Sequence, residues 1–337
     1  MLPVFYVLLL SQGASAIVSP RGGGELPEGF RAAKDKDSGA FLPGRGWIGR
    51  TDAVRAASMA AFSTGARSSA ALTGTMRVPV IGGLYTNYVG HPLQILSLLQ
   101  VELFDGPWSS GTLKEYFDEA SWGLFNLTGE VYGWVELANN EDYYVVYPTA
   151  GTTVGVSRTA EFIEEAVAGI DGEVDFGIYD NDGPDGVPNS GDDDGYVDVL
   201  VLVHPTFGAE CSSNPFHMWS HSYQYSFWDG VAGGWLETDD PSANGGMIRV
   251  DDYIMAPTVS CDSGLIEIGV FCHEMGHSIG LPDLYDGYGS SGIGQWGLMG
   301  SGNWNTPESP AHPCGWSKEQ LGWVDVIDVG WESVQYD

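Results

Sequence analysis

The sequence predicts a mixed α/β (α+β) fold, a twisted mixed sheet packed by helices, and three stretches carry that expectation. Val197 to Val203 (VDVLVLV) is a short, mostly apolar run rich in β-branched residues, the pattern of a strand buried in a sheet. Thr159 to Ile170 (TAEFIEEAVAGI) sets Phe162, Ile163, Ala166, Val167 and Ile170 at helical spacing, giving an amphipathic helix. Ile266 to Ile279 is a second strong helix, closed by Gly280 and Pro282. Helices interleaved with strands pack as layers on the sheet.

Taken in order, the chain opens with MLPVFYVLLLSQGASA, an apolar run from Leu2 to Leu10 followed by Ala14-Ser15-Ala16, a small-x-small pattern of the kind that precedes a cleavage point. Residues 1–16 read as a secretory signal peptide. The usual positive residues are missing from them, which leaves a hydrophobic N-terminal strand as the alternative. Residues 17–75 are rich in Gly, Ala, Ser and Arg with little apolar periodicity, as in a propeptide or flexible leader. A folded body over 76–330 begins near Arg77, with Val78-Pro79-Val80-Ile81 as its first strand. Thr112 to Ala120 forms a helix with Leu113, Tyr116 and Phe117 on one side, and Phe125 to Leu137 alternates as strands do. Residues 331–337 are a C-terminal end, either of a fragment truncated before further domains or of a minimal form.

Forty-five acidic against thirteen basic side chains give a net charge of −32, which argues against a nucleic-acid partner. The charge is uneven: residues 1–77 hold nine basic and five acidic side chains, a net of +4, leaving −36 on the rest. A basic leader and an acidic body should attract each other. No later apolar run approaches the ~18 residues that span a bilayer, so stable membrane insertion is not expected and the exported protein should be extracellular. Cys211, Cys261, Cys272 and Cys314 contain no C-x-x-C pair; one or two disulfides are expected, among three pairings.

The stretch FCHEMGHSIGLPDLYD (271–286) carries the chemistry. Residues four apart on a helix lie nearly above one another, so His273 and His277 present two imidazoles from one face. Gly280 suits a left-handed helix end and Pro282 prevents the helix resuming, so the chain can turn back and bring Asp283 to the same point as a third ligand. Asp286 is close enough in sequence to compete. Glu274 falls beside a metal rather than among its ligands, where a carboxylate can take a proton from water. The extended pattern H-E-x-x-H-x-x-G-x-x-D predicts a catalytic Zn2+ held by His273, His277 and Asp283, with Glu274 as general base. Downstream, Gln295 to Gly302 is a glycine-rich turn around Met299, and after such a motif it looks like the Met-turn of metzincin proteases.

Between positions 180 and 198 the carboxylates crowd, and hard oxygen donors suit Ca2+. Asp180, Asp182, Asp185, Asp192, Asp194 and Asp198 are the candidate calcium ligands, in a spacing that does not fit an EF-hand. A solvated acidic turn is the alternative. His204, His217 and His221 lack zinc-ligand spacing and are expected to be packed or hydrogen-bonded.

HEMGHSIGLPDLYD followed by GLMGSG resembles the M6 peptidases, the immune-inhibitor-A-like secreted zinc metalloproteases of bacteria. The likeness extends to 111–137, to the acidic loop and strand at 179–205 and to HPCGWSKEQLGWV at 312–324, roughly residues 75 to 330 in all. It implies a metzincin-like catalytic domain in a secreted endopeptidase acting on proteins or peptides, made as a zymogen and aided by calcium. Family members often carry further C-terminal domains, whereas this chain stops soon after the catalytic region. A cysteine-switch propeptide is excluded, because no Cys precedes position 211. Two other readings remain beside the endopeptidase: a zinc hydrolase of non-peptide amides, and a non-catalytic calcium-dependent adhesion module. The intact Glu274 argues against the second, because a binding module needs no base. Tyr285 and Tyr288 are near enough in the chain to serve the oxyanion.

Overall fold

In the computed structural model the described residues are 17–21, 26–28, 30–32, 71–91, 95–228, 231, 234–285 and 290–327. The expected signal peptide (1–16), most of the leader and the 331–337 end lie outside them, as do Asp286 and Tyr288. None of the described helices is long and apolar enough to cross a membrane.

A five-stranded sheet organises the fold in the order β2-β1-β3-β7-β4. Its parallel part comprises β1 (Gly74–Leu84), β2 (Phe125–Glu136), β3 (Leu200–Phe207) and β7 (Asp252–Val259). The short strand β4 (His221–Gln224) closes one edge antiparallel to β7. In β3 every residue but Phe207 is buried, and in β7 every residue but Val259, as expected of parallel strands covered on both faces. A separate hairpin pairs β5 (Leu236–Pro241) with β6 (Met247–Val250).

The sheet is therefore mixed but mostly parallel. β3 begins three residues later than the apolar run suggested, because the backbone of 197–199 is engaged elsewhere: Val197 donates to the Arg249 carbonyl and Asp198 to that of Tyr179. β1 begins at Gly74, two residues inside the expected leader.

Five helices matter to the site and its support. After α1 (Leu96–Gln100), α2 (Leu113–Ala120) starts at a reciprocal cap: Thr112 Oγ1 accepts from the Glu115 amide while the Glu115 carboxylate accepts from the Thr112 amide. α3 (Glu141–Val145) follows β2, and α4 (Thr159–Ala168) lays Phe162, Ile163, Ala166 and Val167 against the sheet. The approach at β1 is close, since a Cβ on Gly83 would stand 2.3 Å from the Phe162 ring. α5 (Ile268–Ser278) is buried along its whole length beside β4 and β7. It ends in paired 6→1 and 5→2 bonds, Leu281 N–H to the Gly276 carbonyl at 2.9 Å and Gly280 N–H to that of His277 at 2.8 Å. Gly280 has φ of +97°, a conformation that favours glycine.

Cys211 and Cys261 form a disulfide, while Cys272 and Cys314 are free thiols. His204, His217 and His221 are hydrogen-bonded, to Thr206, to Glu141, and to Trp219 with Tyr253 respectively.

Candidate metal centre and its covering segment

One face of α5 and the turn behind it build the site. The His273 and His277 rings stand 4.9 Å apart and nearly perpendicular, with their Nε2 atoms separated by 3.2 Å. Asp283 Oδ1 lies 3.0 Å from one Nε2 and 3.5 Å from the other. All three side chains are buried. Each ring is oriented from behind: His273 Nδ1 meets the Leu298 carbonyl at 2.9 Å and His277 Nδ1 the Leu281 carbonyl at 2.8 Å. A carbonyl only accepts, so both Nδ1 atoms carry hydrogen and both Nε2 atoms face the shared point.

These spacings suit zinc. Donors about 2.05 Å from one tetrahedral centre lie about 3.3 Å from one another, close to the observed 3.0, 3.2 and 3.5 Å. Without a cation, a proton takes its place: burial disfavours charge on His273, but the Asp283 hydrogen bond and charge, with Glu274, push it up to about 9. Metal binding would displace that proton.

Glu274 is fully buried, and neither of its oxygens has a partner of hydrogen-bonding geometry among the described residues. Burial pushes its carboxyl up to about 8; His273 opposes the rise, Asp283 and Glu210 add to it, and the nearby Val18 backbone lowers it. A carboxylate buried with so little hydrogen bonding is costly unless something else meets it. A water or substrate at the metal would do so. Met299 is buried beneath the helix, so close that a Cβ on Gly276 would stand 2.6 Å from its Sδ.

The same point is covered by the start of the expected leader. Ile17 N–H donates to Asp283 Oδ2 at 3.4 Å, and the Tyr285 hydroxyl donates to the Ile17 carbonyl. Ile17 pairs antiparallel with His221 of β4. The Trp219 indole N–H donates to the Val18 carbonyl at 2.9 Å and the Trp304 indole N–H to that of Ser19 at 2.6 Å. Arg21 N–H reaches the Glu210 carbonyl, and its guanidinium meets Asp262 at 2.8 Å. Ile17 and Val18 are wholly buried. Trp219, Trp304 and Glu210 belong to no motif, so nothing in the sequence marks them out.

The acidic loop sorts its carboxylates differently from the expected set. Carboxylate oxygens of Asp180, Asp182 and Asp193 converge within 4.8 Å, so Asp193 takes a place not assigned to it. Asp185 and Asp192 face outward, where Asp185 accepts from the Val187 amide and Asp192 from the Asp185 amide and Ser190. Asp194 is exposed and accepts from the Tyr196 amide, while Asp198 is buried behind the cluster. Asp180 Oδ1 and Asp198 Oδ2 are buried without a partner among the described residues. Burial, and then neighbouring carboxylates, push Asp180 up to about 8 and raise Asp198 well above the usual range.

Comparison with known proteins places the chain. A model of the immune inhibitor A peptidase M6 catalytic domain matches residues 100–331. The chain belongs to the M6 peptidase family. Among similar proteins, the pre-pro-metalloprotease PrtV of Vibrio cholerae serotype O1 is 25% identical over 227 residues, covering 62% of this chain and 23% of PrtV. Immune inhibitor A of Bacillus thuringiensis subsp. alesti is 26% identical over 246 residues, 66% of this chain and 34% of the relative. The chain thus spans between about a quarter and a third of these M6 relatives' length. The M6 match contains His273, Glu274, His277 and Asp283.

Proposed function

We propose that this chain is a secreted zinc endopeptidase, made latent by its own leader, that hydrolyses peptide bonds with Glu274 as general base. The observation that carries the reading is the convergence of two oriented imidazoles and one carboxylate at tetrahedral spacing, beside a buried carboxylate with no hydrogen-bond partner among the described residues. When bound, zinc supplies Lewis acidity to the scissile carbonyl and to the attacking water. Glu274 takes the proton from that water and passes it to the departing amine. The Leu298 and Leu281 carbonyls hold the two imidazoles in register, and Met299 floors the site in the manner of a metzincin Met-turn. The Tyr285 phenol, kept protonated by burial and the nearby carboxylates, is placed to donate to a substrate carbonyl.

Latency follows from Ile17 to Arg21 lying where a substrate must enter. Activation then requires that this segment be cut or displaced. The acidic loop acts as a structural calcium site through Asp180, Asp182 and Asp193, supported by the unpartnered oxygens of Asp180 and Asp198. Casein zymography of the zinc-loaded chain after limited proteolysis should show a clearing band abolished by 1,10-phenanthroline. A clearing band insensitive to the chelator, or none at all, would reject the reading.

A further inference from the structure

The segment Ile17 to Arg21 crosses the site in a defined direction. Its amino end sits at the metal ligands and its chain runs away from them, antiparallel to β4. It therefore overlays the part of a substrate that follows the scissile bond. Three successive carbonyls, of Ile17, Val18 and Ser19, are met by side-chain donors of Tyr285, Trp219 and Trp304. Those contacts read main chain only, so any sequence can make them. Side chains of the segment are engaged in two places. Ile17 and Val18 are fully enclosed and branched at Cβ. Arg21 reaches Asp262, with Glu267 and Glu308 near enough to favour its charge.

We propose that Tyr285, Trp219 and Trp304 form a main-chain track for substrate downstream of the scissile bond, and that this track selects branched aliphatic side chains at the first two positions after the cut and a basic side chain at the fifth, facing Asp262. The proposal rests on the endopeptidase reading and names its substrate class. Enclosing an aliphatic side chain supports discrimination of about tenfold or more over a polar one. An exposed ion pair such as that of Arg21 and Asp262 supports only about two- to fivefold.

The test uses the zinc-loaded full chain, its leader cut by limited trypsin digestion and the released peptide dialysed away. A peptide library is digested and the cut sites are read by mass spectrometry. Ile and Val should be enriched about tenfold immediately after the cut, with aliphatic residues favoured next, and Lys or Arg about threefold at the fifth position. Asp262→Asn should erase the fifth-position preference and keep the first two. Cleavage with no aliphatic preference after the bond, or with the preference before it, overturns this proposal and leaves the peptidase reading standing. A fifth-position preference unchanged in Asp262→Asn overturns the basic contact, and absence of any cleavage overturns both readings.

Discussion

Stripping divalent cations from the acidic loop should destabilise the protein more at pH 8 than at pH 5.5. Asp180 has an ordinary carboxylate pKa when unfolded and about 8 when folded, because burial and its neighbours oppose its charge. A raised acid holds its proton in the folded state through that window, so the folded state binds more protons than the unfolded one and stability falls as pH rises. Between pH 5.5 and 8 the unscreened difference is about 3 kcal/mol for one such group, and about 1–3 kcal/mol after allowance for solvent screening. Asp198 shifts in the same direction and adds to it. A bound calcium favours the ionised carboxylates and removes the penalty. At roughly 2–4 °C per kcal/mol, the melting-point gain on adding calcium should be several degrees larger at pH 8 than at pH 5.5. Differential scanning fluorimetry on protein freed of cations and returned to one equivalent of zinc measures this directly. An equal calcium gain at both pH values, or none, would rule out a cation held by Asp180; Asp180→Asn should abolish the gain.

Glu274→Ala should retain zinc by elemental analysis yet lose casein hydrolysis by at least about 10²-fold, because the carboxylate is not a ligand. Ile17→Asp in the full chain places a charge in a wholly buried position, so it should loosen the leader and raise basal casein hydrolysis without added protease. Cys211→Ser opens a cross-link between residues 50 apart and should lower unfolding free energy by about 2–5 kcal/mol in denaturant titration.

The convergence of His273, His277 and Asp283 was legible because it is local. Helical geometry fixes where residues four apart point, and Gly280 marks where the helix must end, so eleven consecutive residues bring two imidazoles and a carboxylate to one point with Glu274 beside them. The amphipathic segments of α2 and α4 were legible for the same reason. The acidic loop was only half legible: Asp192 and Asp193 are neighbours of identical chemistry, and the turn sends one outward and the other into the cluster. Spacing holds no information about that. The contact of Ile17 with Asp283 joins residues 266 apart, and its strongest sequence hint was the opposite charge of leader and body. Arg21 meeting Asp262 is the local form of that attraction, while Trp219 and Trp304 owe their roles to tertiary packing alone.

If His273, His277 and Asp283 together hold one zinc, the folded full chain should carry it in stoichiometric amount. After zinc is offered and the excess removed, plasma mass spectrometry should find one zinc per chain, falling to well under half in Asp283→Ala. A folded wild-type chain carrying no stoichiometric zinc, or an Asp283→Ala chain that keeps it undiminished, would rule out this zinc site.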